Sequence, residues 1–365
     1  MAVDFPPERW DKVRETFRKF WAGELDRPLV LAQCRGRDPG RPMPEVPMPS
    51  QGNCHDFSWT PEQIVDRVDW DCSCRVYLGD SFPAFWTGYY GPGCICSFLG
   101  AEVHNVSGKV WFKPPRDVPI EDMHFEYEGD NVWLRRVKDV CAAAARRWQG
   151  QVLVLMPDLG GPFDVLSMFR PGERLLLDLY DHPAEVARLA WELQDLFHRF
   201  YEDLAGAMQA ERYGYSDWSR IYCEKPFHML ANDFCYMIGP GMFDEFVKPT
   251  LAASCRRLSN SFYHLDGVGQ IPHLDSLLAI PELDGIQWVP GTGQPEGDHW
   301  PEVFAKIHGA GKKAQVMGGL EVFERVLKRL GGPGPGIVNW EDDAKNFTPD
   351  EEPDVRRTLA RMGVE

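Results

Sequence analysis

Positive charge is scarce in this sequence. Its 365 residues include 39 Lys and Arg against 55 Asp and Glu, which gives a formal net charge of −16. Nucleic acids and anionic membrane surfaces would repel such a chain, so both are excluded as its main partner. The remaining composition, 44% hydrophobic and 26% charged, is typical of a globular protein with a sizeable core.

The sequence also lacks the apolar segments that target or anchor proteins. Its first 21 residues are charged and amphipathic, without the apolar region of a secretory signal. One uncharged stretch, from Ser81 to Ala101, has the length of a membrane span, but glycines and two prolines interrupt it. We therefore expect no membrane segment and a cytoplasmic location, where the ten cysteines would be reduced thiols.

No cysteine pair has the spacing of a common zinc motif. Cys72 and Cys74 are separated by one residue, as are Cys94 and Cys96, whereas paired zinc ligands usually have two or more residues between them. We interpret these residues as small, buried, apolar side chains. A four-thiolate metal site is the less favoured alternative.

Nucleotide-binding loops, internal repeats and obvious linkers are absent as well. Instead, apolar strand-like segments alternate with amphipathic helices, most clearly from residue 120 onward. This alternation predicts an α/β fold, and at this chain length a (β/α)8 TIM-type barrel. We expect one domain over 1–365, in which residues 1–75 form a helical and loop-rich N-terminal extension packed on the barrel.

Functional residues of such barrels lie at the carboxyl ends of the strands. The segment "FYHLDG" ends a predicted strand with His264 and Asp266, which point to the same face because they are two residues apart. Such a pair suits metal ligation, substrate binding, proton transfer or a structural hydrogen bond, and these alternatives stay open here. Near the other predicted strand ends, Asp80 and Glu224 are candidate catalytic residues, and the candidate substrate contacts are Asp158, Asp233, Trp288 and Trp340. Trp86 and Tyr89 are further candidate substrate contacts.

Each of these candidates also has an ordinary structural interpretation. Asp80 and Asp158 stand in turn sequences, and Glu224 precedes Lys225, with which it could form a simple ion pair. The aromatic residues could equally belong to the core. If they line the barrel mouth, they suit a large planar ligand or a cationic methylated amine.

Several segments resemble the uroporphyrinogen decarboxylase superfamily, which includes decarboxylases and zinc-dependent methyltransferases that act with corrinoid proteins. These segments are "DSFPAFW" (80–86), "GPFDVLSMFRPGERLLLDLYDHPAEV" (161–186), "NDFCYMIGPGMFDEFVKP" (232–249), "YHLDG" (263–267) and "LDGIQWVPG" (283–291). The resemblance runs from about residue 75 to the C-terminus and implies the same barrel fold.

The resemblance implies two different sites. In the decarboxylases, an aspartate at a position similar to Asp80 binds the substrate, and an arginine-rich loop similar to "CRGRDPGR", with Arg35 and Arg37, binds its carboxylates. In the methyltransferases, a His-x-Cys pair and a later cysteine hold zinc. Here the pair is His264-x-Asp266, and Glu341 stands where the later cysteine is expected. This harder ligand set suits zinc or another divalent metal.

The leading hypothesis is an enzyme of methyl transfer or demethylation, assisted by a metal at His264, Asp266 and Glu341. Its partners would be a small-molecule substrate and a separate corrinoid protein, and a homodimer remains open. One alternative is a decarboxylase of a porphyrinogen-like or aromatic acid, without metal or other cofactor, in which Asp80 is catalytic. Another is a non-catalytic barrel that binds a planar ligand.

Overall fold

The structure, a computed structural model, describes residues 3–332, 334–340 and 347–364. The fold is mixed α/β. Its helices are α1 (Pro7–Ala22), α2 (Pro61–Ser73), α3 (Ile95–Phe98), α4 (Val132–Trp148), α5 (Pro162–Phe169), α6 (Arg174–Asp181), α7 (Pro183–Met208), α8 (Ala210–Tyr213), α9 (Pro240–Met242), α10 (Lys248–Arg257), α11 (Leu274–Leu278), α12 (Pro301–Gly309), α13 (Leu320–Arg329) and α14 (Glu352–Arg361).

Five parallel strands form the largest sheet. They are β7 (Phe227–Ala231), β8 (Asn260–Asp266), β9 (Gly285–Val289), β10 (Lys313–Val316) and β11 (Ile337–Asn339), side by side in that order. Helices α10, α12 and α13 lie between successive strands in the chain, the pattern that joins parallel strands. Because the strands are parallel, their carboxyl ends share one edge of the sheet.

The register of this sheet aligns four residues in a row across it. Ala231 of β7 pairs with His264 of β8, His264 with Gln287 of β9, and Gln287 with Gln315 of β10. Residues in register on neighbouring strands point to the same face. The row therefore brings two glutamines into line with the histidine of the predicted site.

Three two-stranded sheets complete the strands of the described part of the chain. β1 (Leu31–Arg35) pairs with β2 (Arg75–Gly79), and β4 (Glu102–Val106) with β5 (Lys109–Lys113), both antiparallel; β3 (Ala84–Trp86) pairs with β6 (Leu153–Leu155), parallel. Within the described residues these four sheets are separate. The strands therefore confirm an α/β fold with parallel strands but do not show a closed barrel.

Helix α1 packs against the amino ends of the strands. Its Phe17 and Trp10 contact Phe82, and its Trp21 contacts Phe227, the first residue of β7. The Trp21 indole donates to the Tyr222 carbonyl at 2.9 Å. Since α1 covers this end of the sheet, the opposite end, where the strands finish, is left for a site.

The long helix α7 follows directly from its sequence pattern. Pro183 occupies the first turn, where the missing N–H costs nothing. Its apolar residues recur at intervals of three and four, and Leu189, Leu193 and Phe200 are buried against the core. No helix in the described ranges is both long and apolar enough to cross a membrane.

Candidate active site

A cavity of about 620 Å³ opens where the parallel strands end. This volume falls in the range of about 300–1,000 Å³ that is typical of small-molecule sites. Its walls are formed by Trp86, Pro92, Gly93, Cys96, Asp158, Gly160, Asp164, Ser167, Met168, Trp218, Arg220, Ala231, Asp233, Phe234, Met237, His264 and Trp340. The walls are mainly apolar and aromatic, with a few acidic groups and one histidine.

His264 and Asp266 extend from the carboxyl end of β8, as the sequence predicts. The His264 ring lines the cavity, and its Nε2 lies 3.9 Å from Asp266 Oδ2. That separation is longer than a hydrogen bond. The other ring nitrogen, Nδ1, contacts Gln287 Oε1, and the Trp218 ring packs edge-on at 6.2 Å between ring centroids.

Asp233 completes a group of three possible metal ligands. One ligand atom from each of Asp233, His264 and Asp266 can be chosen so that all three lie within 4.8 Å of one another. Asp233 begins a 3-10 turn, Asp233–Met237, that directly follows β7. Adjacent parallel strands therefore deliver the three side chains, since β7 and β8 end at the same edge of the sheet.

Three aspartates on the cavity wall have raised pKa values. Burial raises the pKa of Asp158. Two hydrogen bonds partly oppose this shift, because Asp158 Oδ1 accepts from Gly160 N–H at 2.9 Å and from Gly93 N–H at 3.4 Å. Burial and repulsion from Asp233 raise the pKa of Asp164. Partial desolvation at the cavity wall and repulsion from Asp266 and Asp158 raise the pKa of Asp233, although this residue is exposed. Carboxyl groups with shifted pKa values are common around the cavities of active sites.

Asp164 accepts hydrogen bonds at both of its carboxylate oxygens. Asp164 Oδ1 accepts from Phe234 N–H at 2.8 Å, and Oδ2 accepts from Gly161 N–H at 3.3 Å. Donors at both oxygens favour the ionised form of Asp164. Of the two carboxyl groups, Asp164 is therefore the one whose negative charge the backbone stabilises.

The predicted aromatic residues divide into two sets. Trp86 and Trp340 line the cavity. Trp288 is fully buried and packs against Trp300, so it belongs to the core. Tyr89 is buried against Tyr90 and lines a second cavity of about 320 Å³, which shares Trp86 and Arg220 with the first.

The structure places Asp80 and Glu224 outside the main cavity. Asp80 is buried and receives two bonds from the Arg27 guanidinium, at 2.7 and 2.8 Å, and one from Val30 N–H at 3.0 Å. Glu224 is exposed and pairs with Arg18 of α1 at 3.0 Å. Glu224 precedes β7 rather than following it, so it lies at the end of the sheet that α1 covers.

The predicted arginine loop also has other partners. Arg35 pairs with Asp71 at 3.1 Å, and Arg37 pairs with Asp4 at 3.1 Å. Neither lines the main cavity. Glu341, the third predicted metal ligand, lies outside the described residues. Asp233, predicted as a substrate contact, is the carboxylate that the described chain places beside His264 and Asp266.

Asp164 and Arg220 also line the cavity, although neither is predicted from the sequence. Asp164 is the third residue of α5, where an acidic side chain caps the helix, so its pattern indicated only a structural role. Arg220 is buried and has a positive φ of 59°, an uncommon conformation for a residue with a side chain. Nothing in the pattern "DWSRIY" indicates that conformation.

The cysteine pairs do not form a metal site in the described chain. Cys72, Cys74, Cys94 and Cys96 are all buried, and burial raises the pKa of each thiol. Among the residues described, Asp233, His264 and Asp266 are the one set of three or more side chains close enough to share an ion.

Comparison with known proteins gives a similarity of fold. No protein family matches the sequence. No curated protein matches it either. The structure is similar to a methyltransferase from Methanosarcina mazei, with a TM-score of 0.58 and 13% sequence identity over 96% of this chain and 98% of the other. At that identity the similarity shows a distant relationship of fold, not a shared reaction.

Proposed function

We propose that the chain is a methyl-transfer enzyme that acts on a small methylated molecule in the main cavity. The observation that carries the proposal is the meeting of His264, Asp233 and Asp266 at the carboxyl edge of the sheet, beside a cavity of about 620 Å³. The fold similarity to a methyltransferase supports the same class of reaction.

The three side chains fit a divalent metal ion. Their ligand atoms lie within 4.8 Å of one another. Neighbouring ligand atoms of a tetrahedral zinc ion are roughly 3.3 Å apart, so the side chains would close in on a bound ion. An imidazole and two carboxylates are a hard ligand set that suits zinc, manganese or iron. A bound ion would act as a Lewis acid toward the substrate heteroatom.

The surrounding residues would bind and orient the methylated substrate. Trp86, Trp218 and Trp340 provide apolar walls that keep water from the reacting carbon. In the transfer, the carbon–heteroatom bond breaks and its electron pair stays on the heteroatom, which then takes a proton. An electron pair of the acceptor forms the new bond to the methyl carbon.

The proposed acceptor is a reduced corrinoid carried by a separate protein, as the sequence resemblance implies. Two large apolar side chains of the turn Asp233–Met237, Tyr236 and Met237, are 53% and 55% exposed. Because the cavity opens next to them, a second protein can approach the reacting carbon there.

We also propose that the separate parallel strands belong to one (β/α)8 barrel. Two backbone contacts support this arrangement. Met156 N–H, just after β6, donates to the Ser216 carbonyl at 2.9 Å, and Leu29 forms a parallel bridge with Val338 of β11. The first contact joins β6 to the segment that precedes β7, and the second adds a neighbour to β11 at the edge of the five-stranded sheet.

No observation favours the decarboxylase alternative. It depends on Asp80 and on Arg35 and Arg37, and the structure gives all three residues other partners outside the cavity. The ligand-binding alternative uses the same cavity, so only a measurement of both binding and turnover distinguishes it from an enzyme.

The test measures metal content and methyl transfer in parallel. Purified protein is loaded with Zn²⁺, Mn²⁺ or Fe²⁺, and bound metal is measured by mass spectrometry. Turnover is followed as the absorbance change of cob(I)alamin during its methylation by a panel of methylated amines, thioethers and ethers. We expect about one ion per chain, and loss of both ion and turnover in His264→Ala.

The matched control is His308→Ala, since His308 is exposed on α12, away from the cavity. It should keep both metal and turnover. Equal, negligible metal in the wild type and in His264→Ala would contradict the metal site. Tight binding of a panel compound without any methylated product would support the ligand-binding alternative instead.

A further inference from the structure

A chain of buried amide groups runs from the backbone to His264. Gln315 Nε2 lies 2.8 Å from the Ser219 carbonyl and 3.3 Å from the Asn339 carbonyl. Gln315 Oε1 lies 2.6 Å from Gln287 Nε2. Gln287 Oε1 in turn contacts His264 Nδ1. Both glutamine side chains are fully buried, so water does not compete for these bonds.

The direction of every bond in this chain follows from its anchored end. A backbone carbonyl can only accept, so the Gln315 atom that faces Ser219 and Asn339 must be the amide nitrogen. Its oxygen then faces Gln287 and can only accept. The Gln287 atom at that contact must therefore be its nitrogen, which leaves its oxygen facing His264.

We infer that Gln315 and Gln287 are positioning residues that fix His264 in the tautomer with the proton on Nδ1. Because the Gln287 oxygen can only accept, Nδ1 of the neutral ring has to carry the hydrogen. The lone pair is then on Nε2, the nitrogen that faces Asp266. An ion or a proton can be accepted there without any change of tautomer.

The consequence for catalysis rests on the proposed function. A metal ligand needs a free lone pair, and partners that orient a ligating histidine typically change metal affinity by about 10–100-fold when they are removed. The strand register gives the arrangement its rigidity, because His264, Gln287 and Gln315 are paired neighbours on β8, β9 and β10. The tautomer itself can be measured without any turnover.

The experiment uses the full, metal-free chain labelled with ¹⁵N-histidine. Long-range ¹H–¹⁵N correlation spectra above about pH 8, where imidazoles are neutral, show which ring nitrogen carries the proton. The His264 signals are assigned by their loss in His264→Gln, since the chain has ten histidines. We expect wild-type His264 to be protonated on Nδ1, and Gln287→Met to shift the population toward Nε2.

Gln315→Met should produce the same shift by releasing Gln287. Gln194→Met is the matched control: Gln194 is equally buried, but its amide bonds to Ser254 on α10 and has no link to His264. It should leave the His264 tautomer unchanged. Equilibrium dialysis with Zn²⁺ alone should show affinity reduced by roughly 10–100-fold in Gln287→Met and by much less in Gln194→Met.

Two results would overturn the inference: wild-type His264 protonated on Nε2, or a Gln287→Met variant that keeps the wild-type tautomer. The wild-type spectrum tests the claim even if the variants fold poorly. The expected tautomer together with absent Zn²⁺ binding in every variant would leave the positioning role standing and would count against the proposed metal site.

Discussion

Asp233 and Glu224 are both acidic residues beside β7, yet only one faces the cavity. Asp233 follows the strand and meets His264 and Asp266, whereas Glu224 precedes it and pairs with Arg18 on the surface. The two residues therefore form a matched pair for testing the site, because the same charge is removed from opposite ends of one strand.

Asp233→Asn should lower metal affinity and kcat/KM by at least about 10–100-fold, since an amide is a weaker ligand than a carboxylate and cannot carry a negative charge. Glu224→Gln should change both by less than about twofold, because exposed ion pairs contribute little. Zn²⁺ dialysis and steady-state methyl transfer measure the two effects. Similar losses in both variants would place the acidic function elsewhere.

Asp80 is predicted to contribute to stability rather than to catalysis. It is buried, and its carboxylate holds the Arg27 guanidinium at two positions. Asp80→Asn leaves that guanidinium without its counter-charge, which should lower the free energy of unfolding by about 3 kcal/mol, the low end for a broken buried pair. The low end applies because 15% of the Arg27 side chain stays exposed.

Denaturant unfolding measures the stability of Asp80→Asn, and kcat of the folded fraction measures its function. We expect the midpoint to fall while kcat stays near the wild-type value. The double variant with Arg27→Gln should be less destabilised than the sum of the single variants. A folded, stable Asp80→Asn that lacks turnover would show that Asp80 serves the reaction rather than the fold.

At the scale of elements, helix α5 and strand β7 meet through a glycine. A Cβ added at Gly161, just before α5, would lie 1.8 Å from the Ala231 carbonyl and 2.4 Å from Asn232 Oδ1. Both residues lead directly into the turn that carries Asp233. The close approach of α5 therefore helps to set the position of a cavity residue.

Gly161→Ala should push α5 away from β7, destabilise the fold and reduce metal affinity together. Gly206→Ala is the control, because Gly206 lies inside α7 and an added Cβ meets nothing within 4 Å. Alanine there should stabilise the protein by about 0.5–1 kcal/mol. Thermal unfolding and Zn²⁺ dialysis measure both variants, and a Gly161→Ala protein with wild-type values would contradict this packing.

The helices and strands follow from the sequence more directly than the site does. Local patterns account for α7 and predicted the end of β8, because helix periodicity and i, i+2 geometry are properties of residues close together in the chain. They did not reveal the Arg27–Asp80 pair, whose members are 53 residues apart, or the role of Gln287 and Gln315, which read as ordinary strand residues. Those roles depend on which strands become neighbours.

Across the whole molecule, ten cysteines are buried as free thiols. Burial raises the pKa of all ten above the usual value. In the unfolded chain these thiols would ionise near about pH 8.5. The unfolded state therefore binds fewer protons than the folded state once the pH exceeds that value, so stability must fall as pH rises.

We expect the free energy of unfolding to fall most steeply between about pH 8 and 9.5, above the range in which the cavity aspartates ionise and before most tyrosines do. Each thiol contributes up to about 1.4 kcal/mol per pH unit. Lys312 and Lys313 act in the opposite direction, because burial lowers their pKa values, but they are two groups against ten. Denaturant unfolding in reducing buffer measures the change.

Cys141→Ala removes one fully buried thiol of α4, so it should make the decline in stability with pH shallower. A free energy of unfolding that holds constant to pH 9.5 would contradict the prediction. It would show that the thiols ionise as readily in the folded protein as in the unfolded chain.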